Sequence, residues 1–198
     1  MSVKILGGNL KGISLLVPND HNVRPTAVLL KRRVFDANQR LNNKIFIDAC
    51  AGSGSVGFEA LSRGAESIYL IENRKSSIKV INENKKIIER KSNIDSSVAI
   101  EIISRDITSW LGKFKIQYKS WSENSQHHTI FFFDPPYFMH DLYFFIEQSL
   151  LLEDWFKGQI WVESDEVTGI KKEYWEKYSG KSKFYSHGKS YIAIFDNE

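Results

Sequence analysis

The residues best equipped for chemistry are Asp134-Pro135-Pro136-Tyr137. They follow Phe131-Phe132-Phe133, a run that reads as a buried strand. Two prolines stop further ladder pairing, since neither has a backbone N–H to donate. The first also drives Asp134 into extended geometry. A rigid, acceptor-rich corner at the carboxyl end of a strand is where open α/β sheets bind ligands. It suits a flat substrate carrying an amino group. The Asp134 carboxylate and the Pro135 carbonyl can each accept one N–H, and Tyr137 can stack on the ring. The plainer alternative is a strand, a loop, and Asp134 capping the next helix.

A second constellation lies upstream. The strand Ile45–Asp48 runs into Ala49-Cys50-Ala51-Gly52-Ser53-Gly54-Ser55-Val56-Gly57, and a helix is expected over Phe58–Arg63. Glycines let backbone approach a ligand closely, and a helix N-terminus is electropositive. Gly52-x-Gly54-x-x-Gly57 also fits the dinucleotide fingerprint. Glu72 ends the next strand, Ser67–Ile71, where an acid can accept from ribose hydroxyls. Asp106 follows a third strand, Val98–Ile103. It can accept the amino group of an adenine or cap a short helix, Ile107–Leu111; both remain open. The lone Cys50 reads as packing. His127-His128 lacks further ligands at metal spacing, so no metal is expected.

Other elements must position these groups. Ile5-Leu6 and Ile13–Val17 suggest two short strands around a glycine-rich turn. Thr26 to about Leu41 is an amphipathic helix with Lys31, Arg32 and Arg33 on a basic side. Arg24 and this cluster can grip phosphates. Asn73 or Ser76 can cap a helix striped by Ile78, Ile81 and Ile88. Residues 112–128 show no clear period and read as a loop or ragged hairpin. A helix over Asp141–Leu151, a strand over Gln159–Glu163 and a hairpin from Phe184-Tyr185 and Tyr191–Phe195 complete the chain. Alternating strands and helices followed by strands predict a doubly wound, mostly parallel seven-stranded sheet with an antiparallel C-terminal edge. The expected division is a basic extension, 1–42, and a main domain, 43–198.

Composition narrows the class. At 198 residues, 42% of them hydrophobic, the chain can build one sizeable core. No apolar run is long enough to span a bilayer, and no signal-peptide h-region opens the sequence. A single cysteine fits a reducing compartment, so a cytoplasmic protein without membrane attachment is expected. Residues 1–40 carry seven Lys and Arg against two Asp, a local charge of +5, while the rest sums to −2. Such an arm suggests a polyanionic partner at one side, or a solvated basic face.

The glycine loop after strand one, the acid after strand two and the Asp-Pro-Pro-aromatic corner after strand four resemble class I S-adenosylmethionine-dependent methyltransferases of exocyclic amines. Ile5-Leu6-Gly7-Gly8, Arg24-Pro25-Thr26, Ala51-Gly52-Ser53-Gly54, Glu59–Ala65, Asp134–Tyr137 and Val162-Glu163-Ser164-Asp165 together resemble the RsmD family, bacterial enzymes acting on the N2 amine of a guanine in 16S ribosomal RNA. The resemblance implies S-adenosyl-L-methionine held by Asp48, Ala51, Gly52, Ser53, Gly54, Glu72, Asn73 and Asp106. It places Asp134, Pro135, Pro136 and Tyr137 at the reacting amine and RNA contacts at Arg24, Thr26, Lys31 and Arg32. It implies ribosomal RNA as the partner; the small basic arm suggests that the shape of an assembled small-subunit particle helps recognition, bare RNA staying open as substrate, and a monomer is expected. The chain departs from the family at Val28 and Leu29, usually Asp-Arg, and at Lys31-Arg32, usually Arg-Glu. Rival expectations are a methyltransferase of adenine or of a protein glutamine, a dinucleotide-dependent oxidoreductase, and a silent RNA-binding protein. Little chain follows the fifth strand to form a DNA-reading domain, and an oxidoreductase leaves the Asp-Pro-Pro-Tyr corner unexplained.

Overall fold

The structure, a computed structural model, describes residues 2–18, 27–91, 99–178 and 182–197. Arg24, Thr26 and Val98 lie outside them. Among the described residues, seven strands form the main sheet: β3 (Ile45–Ala49), β4 (Ser67–Glu72), β5 (Ala99–Ser104), β6 (Thr129–Phe133), β7 (Gln159–Asp165), β8 (Ser182–His187) and β9 (Ser190–Asp196), in the order β5-β4-β3-β6-β7-β9-β8. β3 to β7 pair in parallel, whereas β9 runs antiparallel to both β7 and β8. The expected architecture is therefore present.

β6 shows why the sheet sits in the middle. All five of its residues are buried, and successive side chains point to opposite faces. Ile130 and Phe132 join one core with Leu30, Val34 and Phe35 of α1 (Ala27–Ala37), Phe58 of α2 (Ser55–Ser62) and Ile81 and Ile88 of α3 (Lys75–Lys91). Phe131 and Phe133 join the other core, with Phe114 of α4 (Ile107–Lys119) and Tyr143 and Ile146 of α6 (His140–Ile146). Each buried Phe contributes roughly 1.5–3 kcal/mol, so this strand draws both helical layers onto the sheet.

Several expectations need correction. Residues 112–128 are not a loop: α4 continues to Lys119 and α5 covers Glu123–His127. Ile107, Trp110, Leu111, Phe114 and Tyr118 are all buried, so the scattered aromatics form a helical stripe. Asp106 caps α4, its side chain accepting from Thr108 N at 2.9 Å. The helix expected over Asp141–Leu151 is α6 followed by a π-helical turn, Glu147–Leu152. The N-terminal strands are β1 (Ser2–Lys4) and β2 (Ser14–Leu16), with Ile5 carrying the pairing one step further through Ile5 N to Ile13 O.

This small hairpin is tied to the main body by buried polar groups. Leu6 N donates to Glu59 and Leu10 N to Ser62 Oγ, both on α2. Asn84 of α3 brackets Leu16: its Oδ1 accepts from Leu16 N and its Nδ2 donates to Leu16 O and Ser53 O. Gly8 is required here, because φ is +73° and a Cβ would lie 1.8 Å from the Ser62 carbonyl oxygen.

Candidate active site

Two clusters stand on the carboxyl edge of the sheet. The first begins where β3 ends. Cys50 has φ +134°, a conformation L-residues rarely adopt, so the turn out of the strand is strained. Cys50 N and Ala51 N both donate to Ile71 O, which ties the turn to β4. Gly52 and Gly54 follow at φ +57° and +76°. A Cβ on Gly52 would meet nothing within 4 Å, whereas one on Gly57 would lie 2.3 Å from Leu70 Cδ2. The first glycine opens onto free space; the last lets α2 lie close on β4. Asp48 is buried, and its Oδ2 accepts from Gly57 N at 3.0 Å. Burial pushes its carboxyl up to about 7.

Glu72 joins the loop to its neighbours. Its Oε2 accepts from Gly52 N at 2.9 Å, and its Oε1 accepts from Asn73 N and Arg74 N. Asn73 Nδ2 then donates to Asp106 Oδ2 at 3.0 Å. Bonds to Thr108 hold the Asp106 carboxyl below the usual range, so it stays an acceptor. Gly52, Glu72, Asn73 and Asp106, expected at a cofactor, thus form one hydrogen-bonded line. Ala51 and Ser53 are buried within the loop. A small-molecule group with an amine, hydroxyls and an adenine fits this set: open space at Gly52, carboxylates at Glu72 and Asp106, and an N-terminal helix end at Ser55.

The second cluster is the corner after β6. Asp134 keeps 24% of its side chain exposed and receives Lys31 Nζ on Oδ2 at 3.0 Å. Lys31, expected to hold phosphate, instead points inward, 18% exposed, with Glu163 Oε2 3.6 Å away. Its ammonium is held well above the usual lysine range by Asp134 and Glu163, which outweigh the cost of burial. Arg32 stays on the exposed face, paired with Asp36 at 3.5 Å, and Arg33 donates to the Ser186 carbonyl. Tyr137 also differs from expectation. It is 5% exposed and its hydroxyl donates to Glu163 Oε1 at 3.0 Å, so its ring is not a free stacking face; Phe138 beside it is 73% exposed. Pro135 is buried, Pro136 exposed, and Pro136 O accepts from Met139 N.

Glu163 enters the sequence reading only as part of a motif, with no role of its own. It is 1% exposed; burial and the Asp134 charge nearby push its carboxyl up, and the Lys31 ammonium opposes them. The sequence signal is its place as the last residue of the strand expected over Gln159–Glu163, although β7 runs on to Asp165. His127 and His128 lie at the end of α5, just before the first residue of β6 and so at the opposite edge of the sheet from both clusters. There His128 Nδ1 contacts Asn124 O at 2.7 Å.

This sheet order, with a glycine loop after the first central strand and an acceptor corner after the fourth, defines a class I S-adenosylmethionine-dependent methyltransferase fold. Solved structures agree on the fold: a hypothetical protein from Thermus thermophilus superposes with a TM-score of 0.71 at 24% identity over 98% of this chain and 99% of that one. A T. thermophilus 16S rRNA N2 G1207 methyltransferase, solved with AdoMet and guanosine, gives 0.64 at 14% identity over 100% of this chain and 50% of that one. The profile of the family described as Conserved hypothetical protein 95 matches residues 3–194. The chain belongs to that family, the RsmD-like methyltransferases, and its cofactor is S-adenosyl-L-methionine. The ribosomal RNA small subunit methyltransferase D of Haemophilus influenzae is 32% identical over 169 residues, 82% of this chain and 79% of that protein. The protein of the same description from Buchnera aphidicola (Acyrthosiphon pisum) is 32% identical over 136 residues, 68% of this chain and 63% of that protein. Among the described residues, no helix is long and apolar enough to cross a membrane.

Proposed function

We propose that this protein transfers a methyl group to the exocyclic N2 amine of a guanine in small-subunit ribosomal RNA. The observation that carries this is the acceptor at Asp134. An N–H donor from the chain itself, the Lys31 ammonium, already sits on its Oδ2 at 3.0 Å, so the corner is built to receive an amine. The relatives described as ribosomal RNA small subunit methyltransferase D and the guanosine complex of the N2 G1207 enzyme support the choice of base.

When bound, S-adenosylmethionine supplies an activated sulfonium methyl, so the chain needs no nucleophile of its own. The residues orient. Gly52, Glu72, Asn73 and Asp106 fix one partner on the β3–β4 side, while Asp134 and the Pro135 carbonyl hold the amine N–H groups on the β6 side. The two prolines keep those acceptors rigid. Flipping a base from its stack costs a few kcal/mol, and exposed Phe138 is placed to stack on it. Holding the reacting atoms together is worth about 7–11 kcal/mol. The substrate is an assembled particle, because the shape of folded RNA is recognised over a surface wider than this small basic arm.

Labelled methyl transfer to bare and assembled small-subunit RNA, followed by nucleoside analysis, tests this. N2-methylguanosine is expected, most strongly from the particle; label in N6-methyladenosine would overturn the assignment of the base. Asp134→Ala is expected to bind cofactor normally and to lose methyl transfer.

A further inference from the structure

Asp134 directly follows β6 and Glu163 lies within the adjacent parallel strand β7, whose register pairs Phe133 with Val162. Two carboxylates side by side in a protein interior repel, and each disfavours the other's charge. Lys31 enters between them from α1. Its Nζ lies 3.0 Å from Asp134 Oδ2, 3.6 Å from Glu163 Oε2 and 5.7 Å from the Phe132 ring centroid. The Glu163 oxygens are unequal. Oε1 accepts from the Tyr137 hydroxyl, whereas Oε2 is buried with no hydrogen-bond donor among the described residues. A buried acceptor without a donor is unfavourable. Here it faces an ammonium that can donate three N–H bonds.

We propose that Lys31 is a positioning residue that alternates between the two carboxylates: it holds Asp134 Oδ2 when no target amine is present, and moves onto Glu163 Oε2 when the amine takes Asp134. This rests on reading the corner as the amine site. The move is short, less than about 1 Å, the difference between an ion-pair contact and a charged hydrogen bond. It gives the unused Glu163 oxygen a partner at the moment Asp134 exchanges one N–H donor for another. The net charge between the strands stays constant through the exchange.

The groups facing Lys31 are Asp134 just after β6, Glu163 from β7 and Asp48 from β3, with Tyr137 on Glu163. On α1 itself, Arg32 and Arg33 are engaged by Asp36 and the Ser186 carbonyl. Lys31→Met leaves the two carboxylates to share a proton. The acidic limb of the kcat–pH profile for RNA methylation is expected to move up by about one unit or more, and Lys31→Arg to restore it. Glu163→Gln leaves Lys31 on Asp134, so KM for RNA is expected to rise by about tenfold, with kcat less affected. Cofactor affinity and melting temperature, measured on each variant, identify any that fail to fold; Lys31→Gln, which keeps an N–H donor without the charge, then replaces Lys31→Met. An unmoved acidic limb in a folded Lys31 variant, or an unchanged KM in Glu163→Gln, overturns the alternation. Wild-type protein that binds cofactor but methylates no RNA would instead refute the amine-site reading.

Discussion

Removing the Glu59 carboxylate is expected to loosen the whole N-terminal hairpin. Glu59 is buried within α2 and Arg63, also buried, caps its C-terminal end, with Glu59 Oε1 2.7 Å from Arg63 Nε. Glu59 Oε2 accepts from Leu6 N at 2.6 Å. The guanidinium also donates to Phe35 O at 2.8 Å and approaches Asp36 Oδ1 at 3.2 Å. In Glu59→Ala the guanidinium therefore stays buried with one half-exposed counter-charge, and Leu6 N loses its acceptor. Breaking a buried pair costs about 3–5 kcal/mol. Asp36 offsets part of that, while the lost Leu6 bond adds about 1 kcal/mol, so roughly 3 kcal/mol is expected. At about 2–4 °C per kcal/mol for a domain of this size, the melting temperature should fall by roughly 6–12 °C. Urea unfolding at unchanged m-value gives the free energy directly, and Glu59→Leu/Arg63→Met should lose less than the single variant. A loss below about 1 kcal/mol for Glu59→Ala would refute the claim that this pair anchors the hairpin.

The loop and its surroundings give three more expected outcomes. Gly52→Ala adds a methyl that meets no protein atom, so it should fold with only the strain of a positive φ, about 1–3 kcal/mol, yet titration calorimetry should show weakened cofactor binding. Gly8→Ala should destabilise far more than Gly12→Ala in thermal melts, because its Cβ would strike the Ser62 carbonyl while that of Gly12 meets nothing within 4 Å. Asp48, at about 7 in the folded state, keeps a proton that the unfolded chain loses above its ordinary carboxylate value; its stability contribution is full at low pH and is lost as pH rises through about 7. Asp48→Asn, which retains an acceptor for Gly57 N, should therefore narrow the gap between melting temperatures at about pH 5 and about pH 8. Glu163 titrates with the same sign, so a residual slope should persist.

The sheet and its glycine loop are legible in the sequence because their signals are local: apolar runs, glycines, prolines and a terminal acid sit within a few residues of one another. The α4 stripe is equally local, yet polar residues between Trp110, Phe114 and Tyr118 obscure its period. Lys31 carries a readable clue. It lies three and four residues before the buried Val34 and Phe35, which places it on the inward side of the helix. The basic run Lys31-Arg32-Arg33 points the other way. Asn84 similarly sits on the buried stripe between Ile81 and Ile88. What no local pattern can supply is the meeting of Lys31, Asp134 and Glu163. That depends on the β6–β7 register and on how α1 docks, so Tyr137 also finds its partner, Glu163, outside any short window.

The strand order reverses between β3 and β6, and this divides inheritance as well as space. On one side of the reversal, a continuous stretch from β3 to β5 and the cap of α4 carries the whole cofactor line. On the other, a continuous stretch from β6 to β9 carries the acceptor corner and Glu163. Each half is a single continuous segment, and the two are joined by the β3–β6 pairing and the core they share. A change in which amine is methylated thus falls first on one half, and α1 must follow it, because Lys31 reaches the corner from outside that half.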